Sequence, residues 1–184
     1  MTGRYSVWDG DEYVDVDVPM SGGEDVMIPV IRAIVVSDHD EGLILLQRRA
    51  DPSERVEGLI EIPGGRWNAG EHPADAAIRE VLEETGISVS SVDGVEVDEL
   101  DGNRTIATIR PFRVIAGVDG AFPAVHVIVT ARGSGTPRDE DGETSDVRWW
   151  TIDDLRTALR QDRDAFVPYA HAALSAYTDV DAGS

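Results

Sequence analysis

One segment of this chain carries every local signal of a helix, and nearly everything around it reads as strand. From Pro73 to Thr85 a proline occupies the first helical turn, Asp75 complements the helix dipole, and Gly86 suits the left-handed position that closes the last turn. Ala74, Ala77, Ile78, Val81 and Leu82 supply its apolar side. Ahead of it, "EYVDVDVPM" alternates as a half-exposed strand does, while "MIPVIRAIVVSD" and "EGLILLQRRA" read as buried strands. "LIEIPGG" is a short strand stopped by Pro63, Gly64 and Gly65. Behind the helix, strands are expected at "SVDGVEVDEL", "RTIATIRPFRVIA", "AVHVIVTARG" and "VRWWTI", followed by helices over "DDLRTALRQD" and "FVPYAHAALSAYTD". Strands, one helix, more strands and closing helices make an α+β chain or a layered α/β/α one.

The 184 residues fit a single domain with a proper core, and an apolar fraction of 41% argues for a globule rather than a disordered chain. No apolar run is long enough to cross a membrane, and the N-terminus lacks a signal-peptide pattern, so the cytoplasm is the expected location. The absence of cysteine removes disulfides and thiolate-held zinc. Thirty-six acidic residues face 16 basic ones, for a net charge of −20, and every basic residue is an arginine. That field repels polyanions and argues against a nucleic acid polymer as partner. It needs screening, which the high-salt interior of a halophile provides; a GC-rich coding bias that replaces lysine by arginine, with a generally acidic surface, is the alternative.

Within the helix, Glu80, Glu83 and Glu84 are spaced i, i+3 and i+4, so three carboxylates share one face. Taken alone, a cluster like this in so acidic a chain is a solvated surface. Like charges at that spacing nevertheless strain a helix unless neutralised, and Mg²⁺ is a cation that oxygen ligands of this kind hold.

The surroundings change the reading. Gly65, five residues, Glu71, seven residues, and then Arg79-Glu80-Val81-Leu82-Glu83-Glu84-Thr85-Gly86-Ile87 resembles the signature of the Nudix hydrolases at every defined position. With seven positions fixed to a single residue type, a chance match is on the order of 10⁻⁸ per window at ordinary residue frequencies. The segments "LILLQRR", "IEIPGG" and "VRWWTIDDL" are also family-like.

The resemblance implies a Nudix-like α/β/α sandwich with a mixed β-sheet and a catalytic loop-helix, with residues 28–184 forming the domain and residues 1–27 an acidic extension. It implies a hydrolase that uses Mg²⁺ or Mn²⁺ to break the pyrophosphate of a nucleoside diphosphate linked to another group. That substrate is a nucleotide sugar such as ADP-ribose, a nucleoside triphosphate or a dinucleoside polyphosphate. The proline common in ADP-ribose enzymes is replaced by Asn103. A nucleotide-sensing domain that does not cleave is the alternative, though such domains commonly lose signature glutamates that this chain keeps.

Carried over by position, Glu83, Glu84 and the Gly64 carbonyl are metal ligands, and Glu80 is a ligand or the base that activates water. Glu71 steadies the site and Arg79 orients a neighbouring carboxylate. Glu143 is the further acidic residue from the loop before the closing strand. For substrate, Arg48, Arg66 and Arg113 are candidate phosphate partners, and Trp67 is a candidate platform for a base or ribose. His72 is not counted as a ligand, and His126 reads as a packed histidine. Trp149 and Trp150 are expected to split between core and surface. The N-terminal strand is a candidate for pairing with a second subunit in a homodimer.

Overall fold

The computed structural model describes residues 2–8, 13–19, 28–50, 56–100, 104–116, 124–139, 142 and 144–181. Strands β1 (Thr2–Trp8) and β2 (Tyr13–Pro19) form an antiparallel hairpin. There follow β3 (Ile28–Ser37), β4 (Leu43–Arg49), β5 (Ile60–Glu61), β6 (Gly64–Arg66) and helix α1 (Pro73–Thr85). Next come β7 (Ser88–Val92), β8 (Val95–Leu100), β9 (Arg104–Ile109), β10 (Arg113–Ala116), β11 (Ala124–Ser134) and β12 (Thr144–Thr151). Helices α2 (Ile152–Gln161) and α3 (Pro168–Asp181) close the chain, with a 3₁₀ turn at Arg163–Ala165 between them.

The main sheet has eight strands in the order β10-β11-β3-β4-β12, with β5 paired to β4, β6 to β3 and β7 to β11. It is mixed: β3 and β11 run parallel, and the other pairings are antiparallel. Both faces are covered, which is why β3 reads as a continuous apolar run rather than an alternating one. On one face Ile31, Ala33, Val35, Leu45, Val129 and Ala131 pack against Ala76, Ala77 and Val81 of α1. On the other, Ile34, Ile44, Leu46 and Ile128 pack against Leu155 and Leu159 of α2 and Ala170, Ala173 and Leu174 of α3. Helix, sheet and helices thus form the α/β/α sandwich.

α1 occupies the expected residues, and Gly86 ends it at φ 67°. Elsewhere the boundaries depart from expectation for local reasons. "SVDGVEVDEL" divides at the Asp93-Gly94 turn, with Gly94 at φ 73°. "RTIATIRPFRVIA" divides around Pro111, which has no N–H to continue a ladder. The closing strand begins at Thr144, ahead of the expected Val147, because a register shift between Ser145 and Arg148 lets Asp146 adopt φ 50°. The glycine stop after Pro63 is itself followed by a strand, since Gly64–Arg66 pairs with β3. Trp149 and Trp150 do lie on opposite faces, but with both faces covered each packs against a different core.

Candidate active site

α1 brings its carboxylates to one end of the sheet, and a single arginine arranges them. Arg79 donates to Glu71 through Nε (2.7 Å) and Nη2 (2.9 Å), a bidentate grip across eight residues. Its Nη1 donates to Glu80 (2.7 Å) and Glu83 (3.1 Å), and Nη2 also reaches the Arg66 carbonyl (3.2 Å). The Glu71 carboxylate accepts a bond from the Asn68 backbone N–H as well. The Arg79 hydrogen bonds, foremost, hold the Glu71 carboxyl below its usual range, and Glu71 in turn helps to raise Arg79. His72 caps the helix, its Nδ1 accepting from the Ala74 N–H at 3.3 Å.

Glu84 sits in different surroundings, only 6% exposed. Its Oε2 accepts from the Gly64 N–H (2.8 Å) and from Nε2 of Gln47 (2.8 Å). Burial, before any other cause, pushes its carboxyl up to about 7, and burial likewise raises Glu80. The glycine pair makes this approach possible. A Cβ on Gly65 would lie 2.2 Å from Oε2 of Glu80, and one on Gly64 would strike the Ile31 carbonyl at 2.3 Å. Gly64 also stands at φ 137°, where glycine alone is at ease.

Four carboxylates, three on Arg79 and with Arg32 acting on Glu80 and Glu84 through space, leave an excess of negative charge, and the donors are hard oxygens of the kind Mg²⁺ and Mn²⁺ take. Oε2 of Glu80 and Oε1 of Glu83 and of Glu84 receive none of the hydrogen bonds above, so one oxygen of each remains for a cation. Among the described residues no three such side chains already converge on one metal-sized point. The donor chemistry suits a divalent cation, although the side chains are not gathered around one point, with Arg79 holding three of the four carboxylates.

Beside this cluster, on the α3 side of the sheet, lies a cavity of about 430 Å³. Arg32, Arg49, Arg66 and Glu61 supply its charge, His126 and Tyr169 its aromatic wall. Three arginines against one carboxylate make it a cationic recess in a chain of net charge −20. Glu61, 1% exposed, anchors the wall. It accepts from Arg32 (3.4 Å), Arg49 (3.4 Å), Gln47 (3.2 Å) and the Tyr169 hydroxyl. Tyr169 is delivered by the first turn of α3, which is docked by the Val167 N–H bond to the Ile60 carbonyl (2.9 Å). Its ring stacks on His126 at 4.3 Å and lies under the Arg32 guanidinium at 4.9 Å. Burial, with Arg32 nearby, lowers His126 to about 4, so it is neutral at pH 7.

The residues singled out by sequence are thus divided. Glu71, Arg79, Glu80, Glu83, Glu84 and Gly64 come together, and Arg66 joins the cluster to the cavity, its carbonyl on Arg79 and its side chain on the cavity wall. Arg48 instead pairs with Asp146 (3.1 Å) and the Gly58 carbonyl (2.7 Å). Trp67 braces the loop, donating to the Glu71 carbonyl at 2.9 Å and packing on the α1-side core. Arg113 lies exposed on β10, 5.8 Å from the Phe112 ring centroid. Glu143 lies outside the described residues. Arg32, Gln47, Glu61 and Tyr169 were not singled out. A signal for two of them was present: Arg32 and Glu61 are lone polar residues within apolar stretches, and buried polar groups need partners, whereas Gln47 is masked by the arginine pair that follows it.

Comparison with known proteins fits this geometry. The model of the NUDIX domain matches residues 27–170. A CMP-5'-(N-acetyl-N-hydroxy-3-aminopropyl)phosphonate hydrolase of Streptomyces rubellomurinus is 31% identical over 155 residues, 80% of this chain and 66% of that protein, just under two thirds of its length. A MutT-like protein of Streptomyces ambofaciens is 30% identical over 145 residues, 77% of this chain and 79% of that one. Among solved structures, the MutT NUDIX hydrolase of Burkholderia pseudomallei superposes with a TM-score of 0.59 at 23% identity, covering 82% of this chain and 98% of that one, which is likeness of fold.

Proposed function

The chain belongs to the NUDIX domain family, and on that premise we propose that it hydrolyses the pyrophosphate bond of a nucleoside diphosphate linked to a further group, with Mg²⁺ or Mn²⁺. The observation that carries this reading is the Arg79-held carboxylate array opening beside a cationic, aromatic-walled cavity. Residues 28–184 would form the catalytic unit and residues 1–27 an extension.

Glu80, Glu83, Glu84 and the Gly64 carbonyl would hold the cation, which supplies positive charge against the phosphate oxygens and activates water. Arg79 keeps Glu71, Glu80 and Glu83 at fixed bearings, so little reorganisation is left for the chemical step. In the alternative role, Glu80 takes up the proton of the attacking water instead of holding the cation. Arg66, exposed at the cavity mouth, meets a phosphate there. The cavity takes the nucleoside or the linked group, with His126 and Tyr169 offering aromatic surface.

The test is a broad panel of nucleoside diphosphate derivatives and triphosphates, incubated with and without Mg²⁺ at low and high salt, with products identified by mass. Cleavage between phosphorus atoms, dependent on the cation, is the expected result. Binding without any turnover across the panel would replace catalysis with nucleotide sensing. Homodimerisation and a salt-rich cytoplasmic setting belong to the same proposal; sedimentation and the salt profile of activity check them.

A further inference from the structure

The carboxylates of the cluster are not all held in the same way. Arg79, a long and partly exposed side chain, serves Glu71, Glu80 and Glu83. Among the described residues Glu84 has no guanidinium hydrogen-bond partner; Arg32 acts on it through space, and its hydrogen bonds come from a backbone N–H and from the neutral amide of Gln47, 37 residues away in sequence. Gln47 is the fifth of the seven residues of β4 and is 1% exposed. An amide nitrogen has two hydrogens, and both are committed: one to Oε2 of Glu84 (2.8 Å), the other to Oε1 of Glu61 (3.2 Å). Its own oxygen is one of four buried side-chain N or O atoms without a partner among the described residues. A carbonyl left unmade at such a depth is a cost, which the donor side must offset.

We propose that Gln47 is a positioning residue that fixes the orientation in which the Glu84 carboxylate is offered to the cation. The Gly64 N–H and the Gln47 amide converge on the same oxygen, Oε2, each at 2.8 Å. A partial turn of the carboxylate about its last bond breaks both contacts, and a half turn only exchanges two equivalent oxygens, so the plane of the group is fixed with one oxygen occupied by the two donors. Through Glu61 the same amide is tied to the wall of the cavity, where Arg32, Arg49 and the Tyr169 hydroxyl meet that carboxylate. Gln47 is therefore, beside Arg66, a second joint between cation site and cavity, and its two hydrogens have separable jobs.

This inference rests on Glu84 being a metal ligand, so the experiment reads metal binding without substrate. Mn²⁺ affinity of the apo protein is measured by calorimetry and spin resonance for the parent, Glu84→Gln, Gln47→Met and Glu61→Gln, alongside kcat, KM and melting temperature. Met matches the length of Gln but donates nothing. Gln47→Met is expected to weaken Mn²⁺ binding about ten- to a hundredfold, as losing a partner of a ligand does, and to lower kcat with KM changed less than about threefold. Glu61→Gln keeps the amide on Glu84, and is expected to raise KM while leaving Mn²⁺ affinity within about threefold. If Gln47→Met does not fold, Gln47→Asn keeps the amide but withdraws it by one methylene, with the same loss expected. Parental Mn²⁺ affinity in a folded Gln47 variant overturns the proposal, even if kcat, KM and melting temperature all fall together. If the parent binds Mn²⁺ no better than Glu84→Gln, the metal-site reading itself fails and this inference with it.

Discussion

At Glu84 the consequences of one buried carboxylate can be separated. Glu84→Gln removes the charge but keeps an oxygen where Oε2 accepts from Gly64 and Gln47, so both bonds survive. Turnover is expected to drop by orders of magnitude; a loss under about tenfold, or about 1.4 kcal/mol of barrier, would mean the cation is held elsewhere. Apo stability is expected to hold or rise, and its pH dependence tells why. The carboxyl titrates near 7 when folded against 4.5 in the unfolded chain, so between those values the folded state binds more protons and the parent loses stability as pH rises. Glu84→Gln lacks that slope, so its advantage in apo melting temperature widens from pH 4.5 to 7 and is level above. The neighbouring glycines divide fold from chemistry. Gly65→Ala meets only the end of the flexible Glu80 side chain, and is expected to lower kcat with a near-parental melting temperature. Gly64→Ala meets backbone at a φ of 137°, and is expected to cost roughly 1–3 kcal/mol in urea unfolding.

At the scale of elements, α1 and α3 contribute from opposite faces of one sheet. α1 was legible to the residue, because proline, dipole-complementing aspartate and left-handed glycine are local signals at both of its ends. α3 was legible as a helix, but its part in the site was not. Tyr169 reaches Glu61 only because the segment before α3 docks on β5, through the bridge between Ile60 and Phe166 and the Val167 N–H bond. Tyr169→Phe is expected to cost about 1 kcal/mol in stability, the lost hydroxyl bond. It is also expected to raise KM for the nucleotide while kcat stays within about twofold. An unchanged KM in steady-state assays would remove the cavity from substrate binding. The short strands failed as sequence readings where a single residue broke a run: Pro111 within "RTIATIRPFRVIA", and Asp146 where β12 bulges.

For the whole molecule, charge sets the conditions under which everything else works. A net charge of −20 repels itself over a screening length that falls from about 10 Å at 0.1 M salt to about 3 Å at 1 M. The melting temperature is expected to rise from low to molar KCl, and a flat or falling profile in calorimetry would refute a salt-adapted surface. Against this background the cavity is an inversion, with Arg32, Arg49 and Arg66 around one carboxylate. Arg32 and Arg49 are fastened to Glu61, so the recess is an arranged cation rather than a stray one.

The sequence by itself determined the family, the helix that carries the carboxylates, the layered α+β class and the set Glu71, Arg79, Glu80, Glu83 and Glu84. These rest on spacing along the chain, and helical geometry turns spacing into a shared face without help from distant residues. The tertiary structure decided what the segments do to one another. It buried Glu84 and left Glu83 in the open, although both stand on one helix. It also paired Arg48 with Asp146, and brought Arg32, Gln47, Glu61 and Tyr169 together from two core strands, a short edge and the last helix. Burial and hydrogen-bond partnership belong to pairs of residues remote in sequence, and only packing the sheet between its helices brings such pairs within reach.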